Sequence, residues 1–76
     1  MTAYTIRTDA VMQTIEAESM DAAAVEFARD EGLSGVTDVD SLLAAVQGIN
    51  GAWCWIEVKG DSGTRRGANT PEAMRA

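Results

Sequence analysis

Hydrophobic and polar residues alternate along two stretches near the start of the chain, residues 3–8 and residues 11–17. A period of two, in residues that favour β-structure, predicts two strands. A short turn at Asp9 and Ala10 would pair them as an antiparallel hairpin with one apolar and one polar face. The residues expected on the apolar face are Tyr4, Ile6, Ile15 and Ala17.

The next two stretches repeat apolar residues every three to four positions, which predicts two amphipathic helices. The first helix follows Ser19, a typical N-cap residue, and runs to about Glu31, with Gly32 as its C-cap. The second follows a capping signal at Asp38 and ends at Gly48. Each helix has one apolar stripe, so we expect both to pack against a core.

Residues 52–59 alternate cleanly in polarity and predict a third strand, with Trp53 and Trp55 on the same face. The order β-β-α-α-β indicates an α+β domain, a three-stranded antiparallel sheet with two helices packed on one face. The other face of the sheet would be left open.

Seventy-six residues suffice for one domain, which we place at residues 1–60. Gly60, Asp61, Ser62 and Gly63 predict a turn. Residues 61–76 are polar and mildly basic, and we expect them to form a partly mobile tail.

The chain has no histidine and one cysteine, so zinc sites and catalytic triads are effectively excluded. Glu16 with Glu18, or Asp38 with Asp40, are the carboxylate pairs that could do acid–base chemistry, but solvent-facing strand positions and helix capping explain them better. We therefore expect no enzymatic activity, no metal and no cofactor.

Targeting and redox signals point to one compartment. Residues 1–20 lack a basic segment followed by an apolar one, and no apolar run is long enough for a membrane span. A lone Cys54 suits a reducing environment. We expect a cytoplasmic protein, in the cytoplasm of the host cell if the chain is phage-encoded.

Charge is distributed unevenly along the chain. Residues 1–58 hold ten carboxylates and two basic side chains, a net of −8, whereas residues 59–76 have a net of +2. An acidic body repels nucleic acid and anionic membranes and attracts basic protein surfaces. We therefore expect a basic protein partner and no direct contact with nucleic acid or membrane.

The candidate partner-binding carboxylates lie on predicted strand and helix positions that would hold them rigidly. Rigidity matters because a surface that imitates DNA must hold several charges in place over a few nanometres. A negative surface that serves only solubility is the alternative for charge alone. The candidates are Glu16, Glu18, Asp21, Glu26, Asp30, Glu31, Asp38 and Asp40.

Trp53 and Trp55 complete the candidate partner-binding set. Two large aromatic side chains about 6.6 Å apart along one strand face could anchor a partner, because tryptophan is enriched in binding hot spots. Alternatively, one or both lie flat over the sheet as a second small core.

In size, acidity, lack of histidine and absence of a catalytic motif, the chain resembles the small inhibitors encoded by phages and mobile elements that are known as anti-CRISPR proteins. The resemblance covers the whole chain by overall character and implies stoichiometric inhibition. Many such proteins bind a basic groove on a CRISPR effector and block target DNA, some of them as DNA mimics.

These observations predict a non-enzymatic inhibitor that binds a basic nucleic-acid-binding surface, of a CRISPR effector complex if the resemblance holds, and competes with target DNA. The alternative is a structural or accessory protein that self-associates through the open sheet face around Trp53 and Trp55. A monomer fits the first prediction and a homodimer the second.

Overall fold

The computed structural model describes residues 1–48 and 53–68 of the chain. The elements are β1 (Thr2–Thr8), β2 (Met12–Ala17), α1 (Met20–Glu31), α2 (Val39–Gly48), β3 (Trp55–Gly60) and β4 (Gly63–Ala68). The strands form one sheet in the order β2-β1-β3-β4, and all neighbouring pairs are antiparallel. The predicted α+β class is therefore confirmed.

The prediction of three strands is wrong, because residues 63–68 of the expected tail form β4. The turn at Asp61 and Ser62 returns the chain along β3, so that Gly63 pairs with Gly60 and Ala68 with Trp55. The sequence of β4, GTRRGA, lacks apolar alternation, so no period of two marks it as a strand. Residues 69–76 of the expected tail lie outside the described residues.

The β1–β2 hairpin forms as predicted, and the side chain of Thr8 closes its turn. The Thr8 hydroxyl accepts hydrogen bonds from the N–H groups of Ala10 (3.0 Å) and Val11 (2.9 Å). The Thr8 N–H donates to the Val11 carbonyl at 2.8 Å. This register places the apolar alternation of both strands on one side of the sheet.

Helix α1 begins and ends where the capping residues predict. The Ser19 hydroxyl accepts a hydrogen bond from the Ala22 N–H at 3.0 Å. Gly32 ends the helix with a φ of 75°, a left-handed conformation that glycine adopts without steric cost.

Helix α2 is capped at its start and tied to α1 there. The Asp38 carboxylate accepts from the Ser41 N–H at 2.7 Å, and the Ser41 hydroxyl accepts from the Asp38 N–H at 3.0 Å. The Asp21 carboxylate, in the first turn of α1, accepts from the Val39 N–H at 2.9 Å. These contacts fix the two helix starts relative to each other.

The core lies between the helix pair and one face of the sheet. Phe27, on α1, is fully buried and contacts Trp53 with ring centroids 5.7 Å apart. Burying such large apolar side chains provides the main driving force for folding. The other fully buried large side chains of the core are Ile6, Leu42, Val46, Ile56 and Val58.

The opposite side of the sheet, which we call the open face, is formed by the alternate residues of each strand. Its central row runs from Met12 through Arg7 and Glu57 to Arg66, one residue from each strand. The remaining open-face residues are Ala3, Thr5, Thr14, Glu16, Trp55, Lys59, Thr64 and Ala68.

Gly60 leaves space for the buried ring of Tyr4 on the neighbouring strand. A Cβ at position 60 would lie 2.5 Å from both Cδ1 and Cε1 of Tyr4. We predict that Gly60→Ala lowers the free energy of unfolding by about 2 kcal/mol, because the ring must move within a packed core. Chemical denaturation measures the loss.

A double-mutant cycle isolates this clash from other effects of the glycine. In a Tyr4→Leu background the same Gly60→Ala change should cost less than about 1 kcal/mol. Equal costs in the two backgrounds would show that the Tyr4 ring is not the reason for the glycine.

Candidate functional site

Most of the predicted acidic residues lie on the helix side of the molecule. Helices α1 and α2 and the segment between them carry six carboxylates and one basic residue, Arg29, a net charge of −5. We call this set the acidic helix layer. Its carboxylates are Asp21, Glu26, Asp30, Glu31, Asp38 and Asp40.

Four carboxylates of the acidic helix layer have partners within the protein. Asp21 and Asp38 accept the backbone hydrogen bonds at the start of α2, and Glu31 accepts from Gln13 Nε2 at 3.1 Å. Asp40 forms an ion pair with Arg65 of β4. The partners of Asp21, Glu31 and Asp38 carry no charge, so these three carboxylates keep their contribution to the negative field.

Hydrogen bonds from the Ser41 backbone N–H and then its hydroxyl hold the pKa of the Asp38 carboxyl below its ordinary value. Both contacts favour the ionised form. Asp38 therefore caps α2 as a carboxylate.

Glu26 and Asp30 are the most available carboxylates of the layer. Both are exposed and lie four residues apart, so they are neighbours on the solvent side of α1. Neither forms an ion pair or side-chain hydrogen bond with any residue in the described ranges 1–48 and 53–68. Two like charges at this spacing repel and slightly destabilise the helix.

The eight predicted acids do not share one surface. Glu16 alternates with the buried Ile15 and Ala17 along β2, so its side chain lies on the open face, opposite the helices. Glu18 is exposed between β2 and α1. The structure thus groups six of the eight in the acidic helix layer and separates Glu16 from them.

The prediction that Trp53 and Trp55 emerge side by side is wrong. The strand begins at Trp55, and the Cys54 N–H donates to the Asp9 carboxylate at 3.0 Å. Trp53 is 9% exposed and packs on Phe27, as expected of a core residue. Trp55 is half-buried on the open face.

The open face carries a charged cluster that the sequence patterns did not indicate. Glu57 accepts from Arg66 Nε at 3.0 Å and lies 2.8 Å from Arg66 Nη2 and 3.3 Å from Arg7 Nη2. The Glu57 side chain is 12% exposed, against 49% for Arg7 and 65% for Arg66. One buried carboxylate therefore holds two exposed guanidinium groups, and the cluster has a net charge of +1.

Arg7 also lies against the aromatic ring of Trp55. Its Cζ is 5.8 Å from the ring centroid, within the range of a cation–π contact. A signal for the Glu57 cluster does exist in the sequence: the glutamate shares a strand face with Trp55, and a carboxylate beside so large an apolar side chain needs a partner.

Comparison with known proteins identifies no relative of this chain. No family model, curated protein or solved structure matches this chain. The interpretation of its surfaces therefore depends on the chain's own residues.

In residues 1–48 and 53–68, no three Cys, Asp or Glu side chains lie close enough together to hold a metal ion. None of the helices in these ranges has the length and apolarity that crossing a membrane requires.

We predict that Glu57→Gln lowers the free energy of unfolding by about 1–2 kcal/mol, measured by chemical denaturation. The change leaves Arg7 and Arg66 close together without a neutralising charge, and the exposure of both arginines keeps the cost below that of a fully buried pair. Asp40→Asn is the matched control, because it breaks the exposed Arg65 ion pair and should cost less than about 1 kcal/mol. Equal costs would show that Glu57 has no special role.

The exposed thiol of Cys54 provides a pH-dependent test. A side-chain hydrogen bond with Asp9, and then the charge of Asp9, raise the pKa of the Cys54 thiol. Since the thiolate is the reactive form, we predict that Asp9→Asn shifts the pH profile of iodoacetamide alkylation to lower pH. Asp61→Asn, which removes a charge elsewhere, should leave the profile unchanged. A shift of the same size in both variants would contradict a local effect of Asp9.

Proposed function

We propose that this protein is a non-enzymatic inhibitor that binds a basic nucleic-acid-binding surface through its acidic helix layer and excludes nucleic acid from that surface. The observation that carries the proposal is the net charge of −5 on two capped helices and the segment between them, which lie on one side of the sheet. Following the resemblance in overall character, we take the partner to be a CRISPR effector complex and the excluded ligand to be its target DNA.

Rigidity of the layer supports this proposal. Both helices pack on the same core through Phe27 and Leu42, and Asp21 joins their starts by its bond to the Val39 N–H. Charges on fixed backbones lose little entropy when a partner binds, so more of the electrostatic attraction contributes to affinity. A mobile acidic segment would lack this advantage.

The placement of Glu26 and Asp30 also supports it. Two exposed like charges at positions i and i+4 weaken α1, whereas one carboxylate and one basic residue there would stabilise it. Helix stability therefore does not account for this pair. Facing lysine and arginine side chains of a partner would account for it.

The two tryptophans do not form the joint binding anchor that was predicted from their shared strand face. Trp53 supports α1 from the core, and Trp55 lies on the opposite side of the sheet from the acidic helix layer. We therefore expect a mainly electrostatic interface whose affinity falls steeply with salt. Self-association around both tryptophans has less support, because only Trp55 reaches the open face and ion pairs occupy its centre.

The test compares two double charge reversals that change the net charge equally. Glu26→Lys with Asp30→Lys alters the acidic helix layer, and Glu16→Lys with Asp61→Lys alters the open face and the β3–β4 turn. We predict at least about tenfold weaker binding for the first and under about threefold for the second. Biolayer interferometry on a panel of guide-loaded CRISPR effector complexes measures the affinities.

A bound effector complex should also lose its affinity for a target duplex as the protein is added, in a mobility-shift assay. The proposal fails if no complex in the panel binds the protein. It also fails if the two reversals weaken binding equally, because the attraction would then come from net charge and not from the acidic helix layer.

A further inference from the structure

The fold concentrates basic side chains on the open face of the sheet, on the opposite side from the acidic helix layer. Three of the six basic residues, Arg7, Lys59 and Arg66, lie on the open face. Among the described strand residues, the carboxylates on this face are Glu16 at the edge and Glu57 beneath the arginines. These five side chains therefore carry a net charge of +1, although the chain carries −6 overall.

We propose that the open face binds a short segment of single-stranded nucleic acid. The inference does not depend on the proposed function, since it concerns the opposite side of the molecule. It replaces the expectation, drawn from average charge, that the chain makes no direct contact with nucleic acid. Local charge decides which ligand a surface attracts at short range, because salt screens more distant charges.

The Glu57 cluster leaves hydrogen-bond donors for phosphate oxygens. A guanidinium has five N–H donors in a fixed plane. The contacts with Glu57 use Nη2 of Arg7 and Nε and Nη2 of Arg66. In the described part of the chain, no hydrogen bond uses Nη1 of either arginine. Glu57 thus orients both guanidinium groups in advance and leaves each able to bind an anion.

Trp55 and Arg7 provide planar groups on which bases stack. Trp55 is half-buried and its ring lies against the Arg7 guanidinium. Unpaired bases stack on aromatic rings and on arginine planes, and this stacking requires no groove or pocket. A duplex would not use the stacking groups of this surface, because its bases are already stacked on one another and paired.

The arrangement along and across the sheet fits a short single strand. Trp55 and Lys59 lie at positions 55 and 59 of β3, about 13 Å apart, on either side of Glu57. The backbones of Arg7 and Arg66, one strand to each side of β3, are about 10 Å apart. This area holds two or three nucleotides, with Thr5 and Thr64 beside Lys59 as further hydrogen-bonding groups.

An acidic peptide is the competing ligand, because arginine and lysine also bind carboxylates. A peptide carboxylate gains nothing from the flat face of Trp55, whereas stacking strengthens the binding of every base. Replacing Trp55 therefore distinguishes the two ligands, because the substitution removes stacking without changing the charge of the protein.

The experiment measures binding of a fluorescein-labelled deoxythymidine oligonucleotide of about 12 nucleotides to the full chain at low salt, by fluorescence anisotropy. We predict that Trp55→Ala weakens binding about tenfold. The matched control Met12→Ala, which removes an exposed apolar side chain from the edge strand of the same open face, should change affinity by less than about twofold. Circular dichroism verifies that both variants are folded.

Salt dependence gives a second measurement. Three phosphate contacts predict a slope of log K against log salt of about −2, and Lys59→Gln should reduce its magnitude by about 0.7. If Trp55→Ala does not fold, the Trp53→Phe protein retains Trp55 as its one indole, and the oligonucleotide should quench its fluorescence.

Three results would overturn the inference: no binding at low salt, equal affinities for Trp55→Ala and Met12→Ala, or competition by polyglutamate as effective as competition by unlabelled oligonucleotide at equal charge. In the Trp53→Phe protein, unchanged Trp55 fluorescence has the same meaning. None of these measurements includes an effector complex. The inference about the open face can therefore be wrong while the acidic helix layer still binds its partner.

Discussion

The arrangement of charge in this protein depends on the two ion pairs that the Glu57 carboxylate forms. This carboxylate lies at the centre of the sheet, on β3, and pairs with Arg7 of β1 and Arg66 of β4. A buried carboxylate without partners would be costly, and the two arginines on the same face as Glu57 offset that cost. The contact also supports β4, whose own sequence has two glycines and little apolar surface.

Two surfaces of opposite character follow from this contact. The helices cover one side of the sheet with a core, and together with the segment between them they carry six of the twelve carboxylates. The other side carries three basic residues arranged around Glu57. In a chain with a net charge of −6, this segregation is the basis of both proposals, a basic protein partner on the helix side and an anionic strand on the opposite side.

Local patterns predicted the elements whose signals are contained within a few residues. Ser19, Gly32 and Asp38 mark the helix ends because capping is a contact between near neighbours in sequence. The strand β4 and the burial of Trp53 could not be predicted in this way. The first depends on Arg66 meeting Glu57 across the β3–β4 hairpin and the second on Trp53 meeting Phe27 of α1, contacts that no apolar period marks in the sequence. The position of Glu16, by contrast, follows from the period of two in β2, which puts it on the face opposite Ile15 and Ala17.

The most direct test of this account is the solvent-exchange rate of the arginine Nε–H protons, measured by nitrogen-15 NMR. If Glu57 holds the arginines as described, the Nε–H proton of Arg66 exchanges at least about tenfold more slowly than that of the exposed Arg29. The Glu57→Gln change should remove most of the difference. Equal rates for Arg66 and Arg29 in the unchanged protein would contradict the account, since the open face would then have no fixed cluster at its centre.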